Sequence, residues 1–401
     1  MFQTVIFVIL TVLAAASLAG LLLRSVSFLI ARRRKKSSPK RLSRIKKTAL
    51  LFTAAVVLNA GLIVLSQLSA STPRIVDENG NVPQNSIAEL KKIELNGRKQ
   101  WISLRGRDKD APVLLFLAGG PGGTQMAAAR HELKELEKHF VVVNWDQPGS
   151  GKSYYAEKTK DITVQTYIED GRALTEYLKE RFSKEKIYLL GESWGSALGI
   201  FLVDKYPESY HALIGTGQMV DFAETERVDY AKALEIAQAR QDNAVAKRLL
   251  ANGEPPYYGS DVAWKSAVYL NYLSACMASN PKIHNPGYST LRDLSSSEYG
   301  LLDKINFFRA LVRTYNHVYP QLYSIDLRRD YARLDVPVYF FLGRHDINAP
   351  TELAEEYFKV LDAPDKGIVW FENSGHSPWI NEPEKFVKEL LSCFSAENAQ
   401  G

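Results

Sequence analysis

Ser193, Asp346 and His376 are of the types, and stand in the contexts, that acyl transfer needs. A serine hydroxyl is a weak nucleophile until a base takes its proton, and the base needs an acid to orient it. Ser193 lies in Gly191-Glu192-Ser193-Trp194-Gly195, between an apolar run at 187–190 and a helix-compatible segment at 196–206. Between a strand and a helix, G-x-S-x-G marks a tight turn that lifts the serine clear of a sheet edge on a strained backbone. Two residues to either side, only glycine or something nearly as small fits. Outside that context the same five residues would be an ordinary Gly/Ser turn.

His376 stands just past the last strand-like run, in Ser374-Gly375-His376-Ser377-Pro378, and Asp346 just past the run before it, in Gly343-Arg344-His345-Asp346. Both are expected at the carboxyl ends of strands, the edge where the serine turn projects. Asp221, after the preceding strand-like run, is a rival for the acid, Asp335 falls on the wrong side of its strand, and His345 reads as a loop residue. A tetrahedral intermediate also needs N–H donors for its oxyanion. Gly119-Gly120-Pro121-Gly122-Gly123 follows the run at 113–117, and glycine there lets backbone amides approach a substrate unobstructed. The N–H of Trp194, next after the serine, would be the second donor. The glycine run lacks the spacing of a phosphate loop or a dinucleotide turn. The constellation calls for no cofactor and no metal.

Strand-like runs at 101–104, 113–117, 140–144, 187–190, 212–216, 338–342 and 368–371 must position these groups. They alternate with helix-like segments at 125–139, from an N-cap at Thr163 onward, at 196–206 and at 384–394. Such alternation predicts an α/β fold, a mostly parallel sheet with helices on both faces. Residues 221–333 hold no comparable strands and read as a helical cap between two parts of the core, 93–220 and 334–395. The two cysteines, Cys276 and Cys393, make no disulfide framework.

The N-terminal 70 residues have another character. Apolar runs at 2–23 and 48–68 are each long enough to cross a hydrocarbon core of ~30 Å as a helix. The first lacks the basic start of a signal peptide, so two membrane helices are expected, with Asn59 and Gly61 suited to a helix–helix contact. Between them lies Arg32-Arg33-Arg34-Lys35-Lys36, followed by Lys40, Arg41, Arg44, Lys46 and Lys47. So basic a short loop is expected in the cytoplasm, with the large domain outside. The net charge of +5 arises here, because residues 1–70 carry eleven Lys/Arg and no Asp/Glu. The remainder holds 39 basic against 45 acidic side chains, which gives no footprint for nucleic acid. Residues 71–92, polar and rich in turn formers, read as a linker.

Taken together, Gly119-Gly120-Pro121-Gly122-Gly123, Trp145-Asp146-Gln147-Pro148-Gly149-Ser150-Gly151, Gly191-Glu192-Ser193-Trp194-Gly195-Ser196 and the Asp346 and His376 loops resemble the α/β-hydrolase fold over about residues 95–395. They most resemble its proline iminopeptidase-like branch. The resemblance implies Ser193 as nucleophile, Asp346 and His376 as its partners, and Gly120 and Trp194 as oxyanion donors. It implies removal of N-terminal residues from peptides, with acidic cap residues holding the free amine. Glu224, where the chain leaves the sheet for the cap, is the first choice for that role and Glu226 the second, against the plain reading of each as a surface-helix residue. Tyr257, Tyr258, Trp264, Tyr269 and Tyr272 give the cap aromatic surface, as packing or as pocket lining. The branch usually has His where Ala118 stands and Arg where Pro148 stands, which puts substrate specificity in question. The expectation is a membrane-anchored serine hydrolase acting on short peptides, with residues 1–70 in the lipid bilayer. A small-molecule esterase of the same fold, or a non-catalytic membrane-tethered binding module, are the alternatives.

Overall fold

The computed structural model describes residues 2–36, 39–285 and 287–398. The chain divides into two units, Met1–Ser71 with Leu294–Lys304, and Thr72–Asp293 with Ile305–Gly401.

In the first unit, helices α1 (Phe2–Arg33) and α2 (Pro39–Leu68) form a hairpin, each long and apolar enough to cross a membrane. Asn59 donates to Thr11 Oγ1 across the pair at 3.3 Å, as its position predicts, whereas Gly61 has no neighbour within 4 Å of where a Cβ would stand. Residues 294–304, from the segment expected to be cap, hydrogen-bond to the end of α2. The Leu301 amide donates to Ser66 Oγ at 3.0 Å, and Gln67 Nε2 to Asp303 Oδ1 at 2.9 Å.

The second unit is built on eight strands: β1 (Ile87–Leu95), β2 (Arg98–Gly106), β3 (Val113–Leu117), β4 (Val141–Asp146), β5 (Ile187–Glu192), β6 (Tyr210–Thr216), β7 (Val338–Gly343) and β8 (Lys366–Phe371). They lie in the order β1-β2-β4-β3-β5-β6-β7-β8, antiparallel where β2 meets β1 and β4 and parallel elsewhere. Period-two alternation covers both faces, because successive side chains of a strand point to opposite sides. Leu115, Val143, Leu189, Leu213 and Phe340 pack on one face with Leu174, Leu178, Leu198 and Tyr357. Those partners come from α4 (Val164–Phe182), α5 (Trp194–Lys205) and α12 (Thr351–Val360). Phe116, Val142, Leu190, Ile214 and Phe341 pack on the other, against α3 (Met126–Glu132), α13 (Pro378–Asn381) and α14 (Pro383–Asn398). Thr163 caps α4 as its sequence predicts, accepting from the Thr166 amide at 3.2 Å.

Two boundaries differ from expectation. The 71–92 stretch is not linker throughout, since β1 begins at Ile87 and pairs with β2 across an Asn96-Gly97 turn with φ of 50° and 79°. Glu89, Lys91, Lys92 and Glu94 mask this strand in sequence, and charge is what an edge strand carries to discourage further pairing. The helix expected over 125–139 stops at Glu132 and continues as a 3-10 turn, Lys134–Lys138, whose three-residue repeat buries both Leu133 and Leu136. The cap comprises α6 (Phe222–Ala239), α7 (Asn243–Asn252), α8 (Val262–Ala278), α9 (Thr290–Leu294), α10 (Leu301–Val318) and α11 (Leu327–Asp330). Tyr257 and Tyr269 pack in its own small core with Tyr230, Leu249 and Leu273, while Tyr258 and Trp264 are exposed. Both cysteines are unpaired.

Candidate active site

The candidate residues gather along one edge of the sheet, beyond the carboxyl ends of β3, β5, β6, β7 and β8. Strand order reverses around β3, and the crevice outside such a switch point is where open α/β sheets bind ligands. Ser193, half-buried directly after β5, has φ 53° and ψ −122°, a backbone state that L residues rarely adopt. Packing enforces it. A Cβ on Gly195 would overlap the Leu117 carbonyl, and one on Gly191 would overlap the carbonyl of Gly195. The Ser193 amide donates to the Thr216 carbonyl at 3.0 Å, which fixes the turn against β6. Trp194 is the first residue of α5, so its N–H has no acceptor within the helix and points out at the positive end of the dipole.

Asp346 is buried after β7. One carboxylate oxygen meets His376 Nδ1 at 2.9 Å, and the other accepts the amides of Asn348 and Ala349 at 2.8 and 3.0 Å. Asp221, the rival acid, is elsewhere: it caps α6 through the Glu224 amide and lies 3.5 Å from Arg328. The His376 ring packs on Gly217, next to the Thr216 whose carbonyl holds Ser193, so one turn after β6 abuts both the serine and the histidine. Burial would lower the pKa of His376, but the adjacent Asp346 charge and hydrogen bond, with Glu192 behind, raise it to about 9. That environment favours imidazolium, the form a general base takes as it removes a proton.

On the other side of Ser193, Gly119 comes so close that an added Cβ would lie 3.3 Å from the serine Cβ. Gln147, from the Asp-Gln-Pro-Gly segment, ties this loop to the serine turn. Its Oε1 accepts from Trp194 Nε1 at 3.0 Å, and its Nε2 donates to the Ala118 carbonyl at 3.1 Å. The Pro148 carbonyl accepts from Tyr167 OH at 3.0 Å, so proline here leaves the loop anchored. A cleft of about 530 Å³ opens beside His376, lined by Asn271, Met277, Ile283, Tyr288 and Asn348 among others, with no Asp, Glu, Lys or Arg among its described lining residues.

From the cap, Glu224 faces an occupied position: Arg328 Nη2 lies 2.5 Å from its carboxylate. Glu226 is 1% exposed, with Tyr323 OH at 3.3 Å and Ser266 Oγ at 3.5 Å. Burial pushes its carboxyl up to about 7 against the opposing pull of the hydroxyls around it. One helical turn on, Asp229 is 2% exposed, and its Oδ1 has no hydrogen-bond partner among the described residues. Burial, then the negative charges of Asp346 and Glu226, hold its carboxyl well above the usual range. The sequence reading did not single out Asp229. Its only signal is the three-residue spacing from Glu226, which puts both on one helix face. Gln125, Gln147 and Tyr288 were also missed as site residues. No group of three or more potential ligands among the described residues is placed to hold a metal ion.

The sequence pattern of the α/β hydrolase fold matches residues 112–383. This chain belongs to the α/β-hydrolase fold family. Within that family it is 32% identical over 309 residues to the probable aminopeptidase YbaC of Bacillus subtilis, covering 77% of this chain and 96% of that protein. It is 25% identical to the proline iminopeptidase of Saccharolobus solfataricus, over 69% of this chain and 83% of the relative. Among solved structures, a proline iminopeptidase-related protein from Thermus thermophilus superposes with a TM-score of 0.53 at 21% identity, covering 77% and 98% of the two chains. That likeness speaks for the fold alone. The hydrolase thus resembles proline iminopeptidases and a probable aminopeptidase, and its two N-terminal helices are candidate membrane spans.

Proposed function

We propose that this α/β hydrolase is a membrane-anchored serine aminopeptidase that releases the N-terminal residue of short peptides. Ser193 Oγ attacks the carbonyl carbon of the first residue while His376 takes its proton, oriented through Nδ1 by Asp346. The developing oxyanion is received by the N–H groups of Gly120 and Trp194. Collapse expels the remainder of the peptide as an amine, protonated by His376, and leaves the first residue esterified to Ser193. Water, deprotonated by His376 in turn, then frees it. The uncharged cleft beside His376 suits the departing chain.

One observation carries the aminopeptidase reading: Glu226 and Asp229 are buried carboxyls on one helix face, and Asp229 feels the charge of Asp346. Burying acids with hydroxyls for company is costly unless a cation arrives, and the α-ammonium of a peptide is such a cation. The amine-holding role therefore passes from Glu224, engaged by Arg328, to Glu226 and Asp229. The test is a pair of substrates differing only in N-acetylation. A fall of about ten- to a hundredfold in kcat/KM on blocking the amine supports the reading, at ~1.4 kcal/mol per decade. Equal cleavage of both would move the esterase reading ahead. The hairpin of α1 and α2 anchors the enzyme, with Arg32–Lys47 in the cytoplasm and the catalytic domain outside.

A further inference from the structure

The G-x-S-x-G pattern leaves the residue before the serine unconstrained. Here it is Glu192, 2% exposed, and its surroundings are specific. Oε1 accepts from Ser377 Oγ at 2.6 Å and from Trp379 Nε1 at 2.8 Å. Oε2 accepts from Gln125 Nε2 and from Tyr288 OH. All four partners donate, and only a carboxylate can accept from four donors at once; an amide would turn an N–H₂ group toward two of them.

The donors come from separate parts of the site. Ser377 follows His376 directly, and Trp379 stands two residues on, fully buried. Gln125 passes the connection to the oxyanion loop, because its Oε1 accepts the Gly119 amide at 3.2 Å. Tyr288 belongs to the cap, and Gln125 also donates to its hydroxyl. Burial, and then the Glu192 charge, push the Tyr288 phenol well up, which keeps it a proton donor.

We infer that Glu192 is a positioning residue whose ionised carboxylate locks the oxyanion loop, the histidine loop and the cap to the strand that carries the nucleophile. Its charge also lies among the causes that raise the pKa of His376. The inference rests on the serine-hydrolase reading above and adds to it a fixed internal anion, bonded directly to the histidine loop and the cap and through Gln125 to the oxyanion loop. The cap's approach through Tyr288 is thereby coupled to the loop that must receive the oxyanion.

The experiment uses the full chain in detergent and follows the second-order rate of labelling by a fluorophosphonate against pH, which needs no knowledge of the substrate. Glu192→Gln should label about ten- to a hundredfold more slowly, with the rising limb of its pH profile moved to lower pH. Tyr288→Phe and Ser377→Ala keep the carboxylate, so they should slow labelling less and leave the limb in place. Wild-type rate and limb in Glu192→Gln would overturn the inference, as would a slower rate with an unmoved limb, which is what mere loss of packing gives. If Glu192→Gln does not fold, a cycle of Gln125→Leu and Ser377→Ala decides. Their effects should be non-additive through the shared carboxylate, and strict additivity would overturn the inference. Labelling that survives Ser193→Ala would instead overturn the serine reading and the inference with it.

Discussion

Replacing Glu226 by Gln should make this enzyme more stable at alkaline pH while damaging its use of free-amine substrates. The carboxyl is 1% exposed, and burial raises its pKa from an ordinary 4.5 to about 7. A carboxyl with a raised folded-state pKa binds its proton more tightly when folded. Its benefit to stability is therefore complete below the unfolded value and is lost as pH rises through about 7. The distance from 4.5 to about 7, at ~1.4 kcal/mol per pH unit, leaves a cost of about 3 to 4 kcal/mol above pH 8 that Gln does not incur. For a domain of ~330 residues, unfolding entropy near ~2.1 cal/mol/K per residue converts this to a Tm increase of about 5 °C. Thermal denaturation of wild type and variant from pH 4 to 9 should show curves that coincide at the acid end and diverge through neutrality. In the same preparations, kcat/KM should fall about ten- to a hundredfold on a free-amine substrate and little on its N-acetylated counterpart. A Tm difference that does not vary with pH, or equal losses on both substrates, would refute the assignment of Glu226 as a buried charge awaiting an ammonium.

Ser193→Ala should abolish turnover and fluorophosphonate labelling with an unchanged circular dichroism spectrum, a loss of ~10⁴-fold or more. Asp346→Asn should reduce kcat severely and move the rising limb of the pH–rate profile to lower pH, because the Asp346 charge and hydrogen bond raise His376. Asp221→Asn, at the α6 cap, should leave that limb where it is. Protease added to intact cells should digest the catalytic domain and spare the loop at Arg32–Lys47; a domain cut only after lysis would reverse the proposed orientation.

The sequence disclosed this fold wherever the governing constraint is local. Gly191 and Gly195 are legible because a strained turn packed on Leu117 leaves no room for a side chain, and strands β3 to β7 because burial on both faces makes each an apolar run, whereas the edge strand β8 is mostly half-buried and shows only as its apolar part at 368–371. Charge hid β1, although its Asn96-Gly97 turn was the available signal. For the acid, the sequence favours Asp346 but leaves Asp221 as a rival, since each follows a strand; the fold shows that Asp221 caps a helix while Asp346 faces His376. The order of Glu224 and Glu226 in the cap was beyond reach for the same reason. Whether Glu224 or Glu226 is spoken for depends on Arg328, 104 residues further along the chain than Glu224.

The acids around the site explain one another better than any does alone. Glu192 and Asp346 raise His376, and Asp346 with Glu226 raises Asp229, so each buried negative charge makes the next harder to keep. The same field favours the protonated His376 ring, the form the base takes on after removing a proton. A peptide α-ammonium bound at Glu226 and Asp229 supplies the missing positive charge from outside. On the proposed reading it lets both cap carboxyls ionise, because an opposite charge beside a buried carboxyl favours its charged form. An N-blocked substrate would bring no such charge, so it would leave both carboxyls buried without a cation and lose that binding contact.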